Sequence, residues 1–107
     1  RGRMEMNRLQ QLMVITMEEC GELIQECSKI IRTCDSIESV PQNRREALLD
    51  EAGDVLAMLQ LLTHSHFFDY IQLEVSAKKK HEKLKVWSNL YDEKPIQDKR
   101  QLELFDL

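Results

Sequence analysis

Apolar residues recur in steps of three and four along most of residues 5–64. Because an α-helix makes one turn in 3.6 residues, this spacing is typical of helices that bury one face. The chain has three Gly and two Pro in 107 residues, and both prolines fall outside the strongly periodic stretches. So few helix-breaking residues favour a small number of long helices, and the sequence therefore predicts an all-α protein.

The apolar pattern predicts three helices. They cover residues 5–33, 44–64 and 67–86. In the polar connection between the first two helices, either Ser39 or Asn43 could cap the second helix. After Trp87 the periodicity stops, and we interpret residues 88–107 as a tail with room for one short helix.

Length and charge limit what the chain can do. A chain of 107 residues has room for one domain with a modest core, which favours oligomerisation through an apolar helix face. The net charge of −4 argues against a general nucleic-acid-binding protein. Neither a run of 18 apolar residues nor a signal-peptide pattern occurs in the sequence, so we predict neither membrane insertion nor export. Residues 1–3 resemble an expression scar before Met4, and the domain is predicted over residues 4–87.

The three cysteines are spaced seven residues apart, at Cys20, Cys27 and Cys34. This spacing places them along one stripe of the first helix, where we interpret them as small buried apolar residues. Three cysteines, an odd number, that serve as apolar residues rather than as a disulfide framework indicate a reducing, cytoplasmic setting.

Acidic residues cluster on two of the predicted helices, and they share one spacing. Glu19 and Glu22 lie three residues apart, and so do Glu51 and Asp54, so each pair lies on one helix face. Glu18 precedes the first pair. Acidic pairs of this kind usually belong to a solvated helix face. Here, however, no basic residue follows at the i+4 positions of the first cluster, and the acids border apolar stripes that must face other helices.

If the two helices pack side by side, the four carboxylates converge. Crowded like charges raise each other's pKa, so the arrangement is costly unless a cation lies between them. Carboxylate oxygens are hard ligands, and the set contains neither His nor Cys. The sequence therefore predicts a site for Mg²⁺ or Mn²⁺ rather than Zn²⁺.

Two motifs carry a resemblance to a known family. The stretch EECGELI at residues 18–24 and the stretch EAGDVL at residues 51–56 resemble the EExxE and ExxD motifs of the MazG-like, all-α nucleoside triphosphate pyrophosphatases. The resemblance extends over about residues 9–62 and includes the pair Ser28 and Lys29.

The resemblance implies hydrolysis of the bond between the α and β phosphates, which gives a nucleoside monophosphate and pyrophosphate. It also implies an antiparallel helical bundle that assembles as a dimer or tetramer. By position in the motifs, the metal ligands would be Glu19, Glu22, Glu51 and Asp54. Glu18 points about 100° away around the helix, so it is either a ligand of a second metal ion or the group that orients the attacking water.

A triphosphate also needs basic groups for its outer phosphates. The candidates are Lys29, Arg32 and the lysine cluster that includes Lys78, Lys80 and Lys83. The alternative interpretation of these residues is solubilising charge on exposed helix ends.

The end of the chain carries a further motif. Its residues Gln101, Leu102, Leu104 and Phe105 resemble the short peptide with which bacterial replication and repair proteins bind the DNA polymerase sliding clamp. The alternative is a tail that folds back over an apolar strip of its own oligomer.

Two other functions compete with a (d)NTP pyrophosphatase that controls or cleans a nucleotide pool. One is a non-catalytic helical adaptor that dimerises and binds a partner through its tail, for which convergent carboxylates would have no use. The other is the related phosphoribosyl-ATP pyrophosphohydrolase of histidine synthesis, against which the tail motif argues.

Overall fold

A computed structural model describes residues 5–92, and all regular structure in this part of the chain is helical. The helices are α1 (Arg8–Thr33), α2 (Gln42–His64) and α3 (Tyr70–Trp87). The predicted all-α class is therefore confirmed, and residues 5–92 contain the three helices that the apolar pattern predicts. Within residues 5–92, none of the helices is both long and apolar enough to cross a bilayer.

Side-chain caps define where α1 and α3 begin. Asn7 accepts a hydrogen bond from the backbone N–H of Gln10 at 2.8 Å, and the Gln10 side chain accepts one from the backbone N–H of Asn7 at 3.0 Å. Asp69 and Gln72 form the same reciprocal pair at the start of α3. Both helices begin three residues later than the apolar pattern predicts, because these caps satisfy backbone N–H groups that the first turn leaves free.

The predicted cap of α2 is wrong. The residue at the cap position is Pro41, which is extended and makes no side-chain cap hydrogen bond. Ser39 instead donates its hydroxyl to the carbonyl of Ser36 at 2.9 Å, within the connection. Asn43 lies inside α2, because the helix begins at Gln42.

Helices α1 and α2 form an antiparallel hairpin within the first of two compact units, which extends to Ser65. The antiparallel arrangement brings the start of α1 beside the end of α2, where the guanidinium of Arg8 donates to the hydroxyl of Ser65 at 3.1 Å. The buried apolar side chains of the described residues are Leu12, Met58 and Leu62, all on these two helices. The second unit begins at His66 and contains α3.

The prediction that the three cysteines are buried is wrong for the single chain. Cys20 and Cys27 are exposed, and Cys34 is partly exposed. They share one face of α1 with three large apolar residues that are also exposed, Met17, Ile24 and Ile31. This face is centred about 90° around the helix from Leu12. A two-helix hairpin buries only one face of each helix, so the second apolar face of α1 remains open.

Candidate metal centre

Four carboxylates from α1 and α2 meet at one place in the first unit. One carboxylate oxygen from each of Glu19, Glu22, Glu51 and Asp54 can be chosen so that all four lie within 4.8 Å of one another. Local geometry explains the pairing within each helix, since residues three apart are neighbours on the helix surface. The antiparallel packing of α1 and α2 then brings the two pairs together.

The cluster lies at the margin between the packed helix interface and solvent. Glu19 and Glu51 are half-buried, whereas Glu22 and Asp54 are exposed. The ion pairs found among residues 5–92 involve none of these four carboxylates. Their negative charges are therefore close together, partly desolvated and without a protein cation to neutralise them.

This crowding changes the acidity of the two half-buried members. Loss of hydration raises the pKa of Glu51 from 4.5 to about 7, and the charge of Glu22 and hydrogen bonds to Glu22 and Asp54 add to the shift. Loss of hydration also raises the pKa of Glu19, and the charges of Glu22 and Asp54 act in the same direction. Both shifts mean that bringing the charged forms together costs free energy.

The donor set and its dimensions fit a hard divalent cation. Octahedral Mg²⁺ binds oxygen at about 2.1 Å, so ligands on opposite sides of the ion lie about 4.2 Å apart. The oxygens of the cluster span at most 4.8 Å, which a small inward shift of the side chains would reduce to that value. Four carboxylates without His or Cys are suitable for Mg²⁺ or Mn²⁺. The role of these residues as metal ligands stays a prediction, but the cluster could hold a metal ion.

The other predicted site residues lie outside the four-carboxylate cluster. Glu18 is exposed on α1 and is not one of its members, although its charge contributes to the raised pKa of Glu19. Arg32 is exposed, and its guanidinium donates to the carbonyl of Ser28 at 3.2 Å. The Lys29 ammonium pairs with the carboxylate of Glu26 at 3.0 Å.

The remaining predicted residues belong to the second unit or lie beyond the described part of the chain. The α3 lysines Lys78, Lys80 and Lys83 are all exposed. The predicted clamp-binding residues Gln101, Leu102, Leu104 and Phe105 lie outside the described residues.

Glu26 is the residue near this site that the sequence interpretation missed. It is the buried charged side chain of the described residues, with 8% of its surface exposed. A signal was present in the sequence, since Glu26 follows Leu12 by fourteen residues and Glu19 by seven, and seven residues are close to two helical turns. It therefore lies on the face of α1 that contains Leu12 and part of the acidic cluster.

Comparison with known proteins identifies the family. The family model of the MazG nucleotide pyrophosphohydrolase domain matches residues 7–87, which is well over half of the chain. This match includes both acidic motifs and all three helices. No curated protein and no solved structure matches the chain significantly. On the strength of this match and of an all-helical fold that carries both motifs, the chain belongs to the MazG nucleotide pyrophosphohydrolase family.

Proposed function

We propose that this protein is a metal-dependent nucleoside triphosphate pyrophosphohydrolase that converts a (d)NTP and water into a (d)NMP and pyrophosphate. The observation that supports the proposal is the convergence of four carboxylates, from two helices, in a chain of this family. Such a cluster destabilises the folded chain unless a cation is bound, and a divalent cation is what a triphosphate requires for hydrolysis.

In this proposal the metal ligands are Glu19, Glu22, Glu51 and Asp54, and the ion is Mg²⁺, for which Mn²⁺ can substitute. The bound ion would neutralise charge on the phosphate oxygens and increase the acidity of a water molecule. Hydrolysis also requires a water molecule in line with the phosphorus under attack, and the residues that bind the phosphates would provide this alignment. Glu18 lies next to the cluster and either binds a second ion or orients the attacking water, whose proton a nearby carboxylate can accept.

Basic side chains would bind the outer phosphates. Lys29 is the candidate in the first unit whose position is fixed by an ion pair, and Arg32 lies one turn further along α1. The exposed α3 lysines, Lys78, Lys80 and Lys83, are further candidates. We also propose that the protein acts as a dimer or tetramer in the cytoplasm, where its three cysteines would remain reduced.

Pyrophosphate release from the common NTPs and dNTPs, with and without Mg²⁺, tests the proposal directly. We expect metal-dependent release with at least one nucleotide. Thermal melting with Mg²⁺ or Mn²⁺ is a second test, because an ion that binds the folded chain raises its melting temperature. A non-catalytic adaptor would show neither pyrophosphate release nor a rise in melting temperature.

Substitution of one ligand connects the activity to the cluster. We expect Asp54→Asn or Glu22→Gln to lower turnover by at least about 100-fold, since even residues that only support metal ligands often account for 10- to 100-fold. The helical content, measured by circular dichroism, should remain unchanged because both side chains are exposed. The matched control is Glu46→Gln, which removes one charge from an exposed position of α2 outside the cluster. Full activity in Asp54→Asn would contradict the assignment.

A further inference from the structure

Glu26 has an environment that helix packing alone does not explain. Its carboxylate is buried, one oxygen (Oε2) accepts from the ammonium of Lys29 at 3.0 Å, and the other (Oε1) has no hydrogen-bond partner among the described residues. Leaving a buried acceptor unpaired is unfavourable, and an apolar side chain of the same length would avoid it. Packing therefore does not account for a carboxylate at this position, and its charge needs another explanation.

The position of Glu26 connects the acidic cluster to Lys29. Glu26 follows Glu22 by four residues and therefore lies on the same face of α1, about 6 Å further along the helix axis. Side chains of a helix lean toward its N-terminus, and Lys29 does so when it reaches back one turn to Glu26. The ion pair thus holds the ammonium at the level of Glu26, one turn from the cluster.

The two partners differ in exposure in a way that suits a binding group. The side chain of Glu26 is 10% exposed, whereas that of Lys29 is 42% exposed. An ammonium has three N–H donors, and the pair with Glu26 occupies one of them. The carboxylate is therefore held in place by burial, while the ammonium retains donors that solvent or a ligand can reach.

A second ion pair in the chain provides a comparison. Glu82 and Lys85 on α3 have the same three-residue spacing and a distance of 3.2 Å, but their side chains are 61% and 52% exposed. Exposed ion pairs of this kind contribute little to the position of either side chain, because water screens both charges. Burial of the carboxylate is what distinguishes the pair of Glu26 and Lys29.

We propose that Glu26 is a positioning residue, whose buried carboxylate holds the Lys29 ammonium next to the acidic cluster, where it binds an outer phosphate of the triphosphate. The inference rests on the proposed function. It adds that the Glu26 carboxylate orders the flexible side chain of Lys29 before the substrate binds. A free lysine loses much side-chain entropy when it binds a phosphate, and a lysine already ordered loses less.

A double-mutant cycle tests this inference by binding rather than by turnover. The ligands are Mg²⁺-pyrophosphate and the Mg²⁺ complex of a triphosphate with a non-hydrolysable α,β bridge, titrated by calorimetry. We expect Glu26→Met and Lys29→Met each to weaken binding about tenfold, and the double variant to bind no more weakly than Lys29→Met alone. The control Glu82→Met removes a carboxylate with the same spacing on α3 and should bind like the unmodified protein.

Thermal melting separates positioning from a structural role. We expect Glu26→Met to melt no earlier than the unmodified protein, because a buried charge is replaced by an apolar side chain of similar size. If this variant does not fold, Glu26→Gln takes its place in the cycle. Additive losses in the double variant, or unchanged binding in Glu26→Met while Lys29→Met binds weakly, would overturn the inference.

The same titration distinguishes this inference from the proposed function. Coupled effects on binding in a protein that releases no pyrophosphate from any nucleotide would support the positioning role and contradict the activity. Pyrophosphate release with additive effects on binding would support the activity and contradict the positioning role. Absence of binding and of release would overturn both.

Discussion

The carboxylate of Glu51 shows what convergence costs the metal-free protein. Its pKa is raised from 4.5 to about 7, mainly by lost hydration and by the charge of Glu22. The folded chain therefore binds this proton more tightly than the unfolded chain does. The stabilisation that the protonated carboxyl of Glu51 contributes is fully present below pH 4.5 and is lost as the pH rises through about 7.

A pH series of thermal melts measures this contribution. In the presence of a chelator, we expect the melting temperature of the unmodified protein to fall between about pH 4.5 and pH 7 relative to that of Glu51→Gln. The variant has no titrating carboxyl at this position. Saturating Mg²⁺ should remove the difference between pH 6 and pH 8 by neutralising the charged cluster. If the melting temperatures of both proteins change with pH in the same way in the presence of the chelator, the crowding of charge around Glu51 does not affect stability.

For the individual residues of the site, the sequence predicted only the positions that helix geometry determines. The three-residue spacing within Glu19 and Glu22, and within Glu51 and Asp54, follows from 3.6 residues per turn. Their convergence also needed α1 and α2 to pack in a particular register, which the family resemblance indicated and the structure supplies. The burial of Glu26 was missed because burial depends on which face of α1 contacts its neighbour, and a single sequence does not state this.

The starts of the helices differ in how strongly single residues determine them. Asn7 at the start of α1 participates in a reciprocal pair with Gln10. Pro41 at the start of α2 offers no side-chain acceptor, and its fixed, extended backbone ends the connection instead. The sequence offered Ser39 and Asn43 as better caps by residue type, but the turn formed with Ser36 uses the hydroxyl of Ser39.

Two asparagine substitutions distinguish a capping residue from a residue inside a helix. We expect Asn7→Ala to lower the free energy of unfolding by about 1 kcal/mol, because a backbone N–H in the first turn of α1 loses its acceptor. Asn43→Ala should change it by less than about 0.5 kcal/mol, because Asn43 is exposed within α2. Chemical denaturation of both variants measures the difference. The opposite order of stability would show that α2 begins at Asn43 in solution.

The first unit has an apolar surface on α1 that the α1–α2 hairpin does not cover. Along α1, Met17, Ile24 and Ile31 are 71%, 67% and 80% exposed, and the three cysteines lie between them on the same face. Alternating steps of three and four residues along this face match the spacing of helices that pair with another helix. We therefore expect a second copy of the chain to pack on it, which is the oligomerisation that the small core predicted.

A charge on this apolar face of α1 should prevent two copies of the chain from associating. We expect Ile24→Asp to shift the protein from an oligomer to a monomer in sedimentation velocity, because association would bury an unpaired carboxylate. Gln25→Asp adds the same charge at an adjacent, exposed position of α1 outside this face, and it should leave the oligomer intact. Cys20 and Cys27 should react slowly with a thiol reagent in the oligomer and rapidly in Ile24→Asp. A monomeric unmodified protein would contradict this expectation.

The small core of the described residues has a practical consequence for assays of the proposed activity. Among residues 5–92, Leu12, Met58 and Leu62 are few buried apolar side chains for two long helices, so we expect the folded state to depend on the protein's own concentration. At the nanomolar dilutions common in kinetic work, subunits would separate, the helix hairpin would loosen and the carboxylates would drift apart. Specific activity should then fall on dilution, and added metal or nucleotide should protect it.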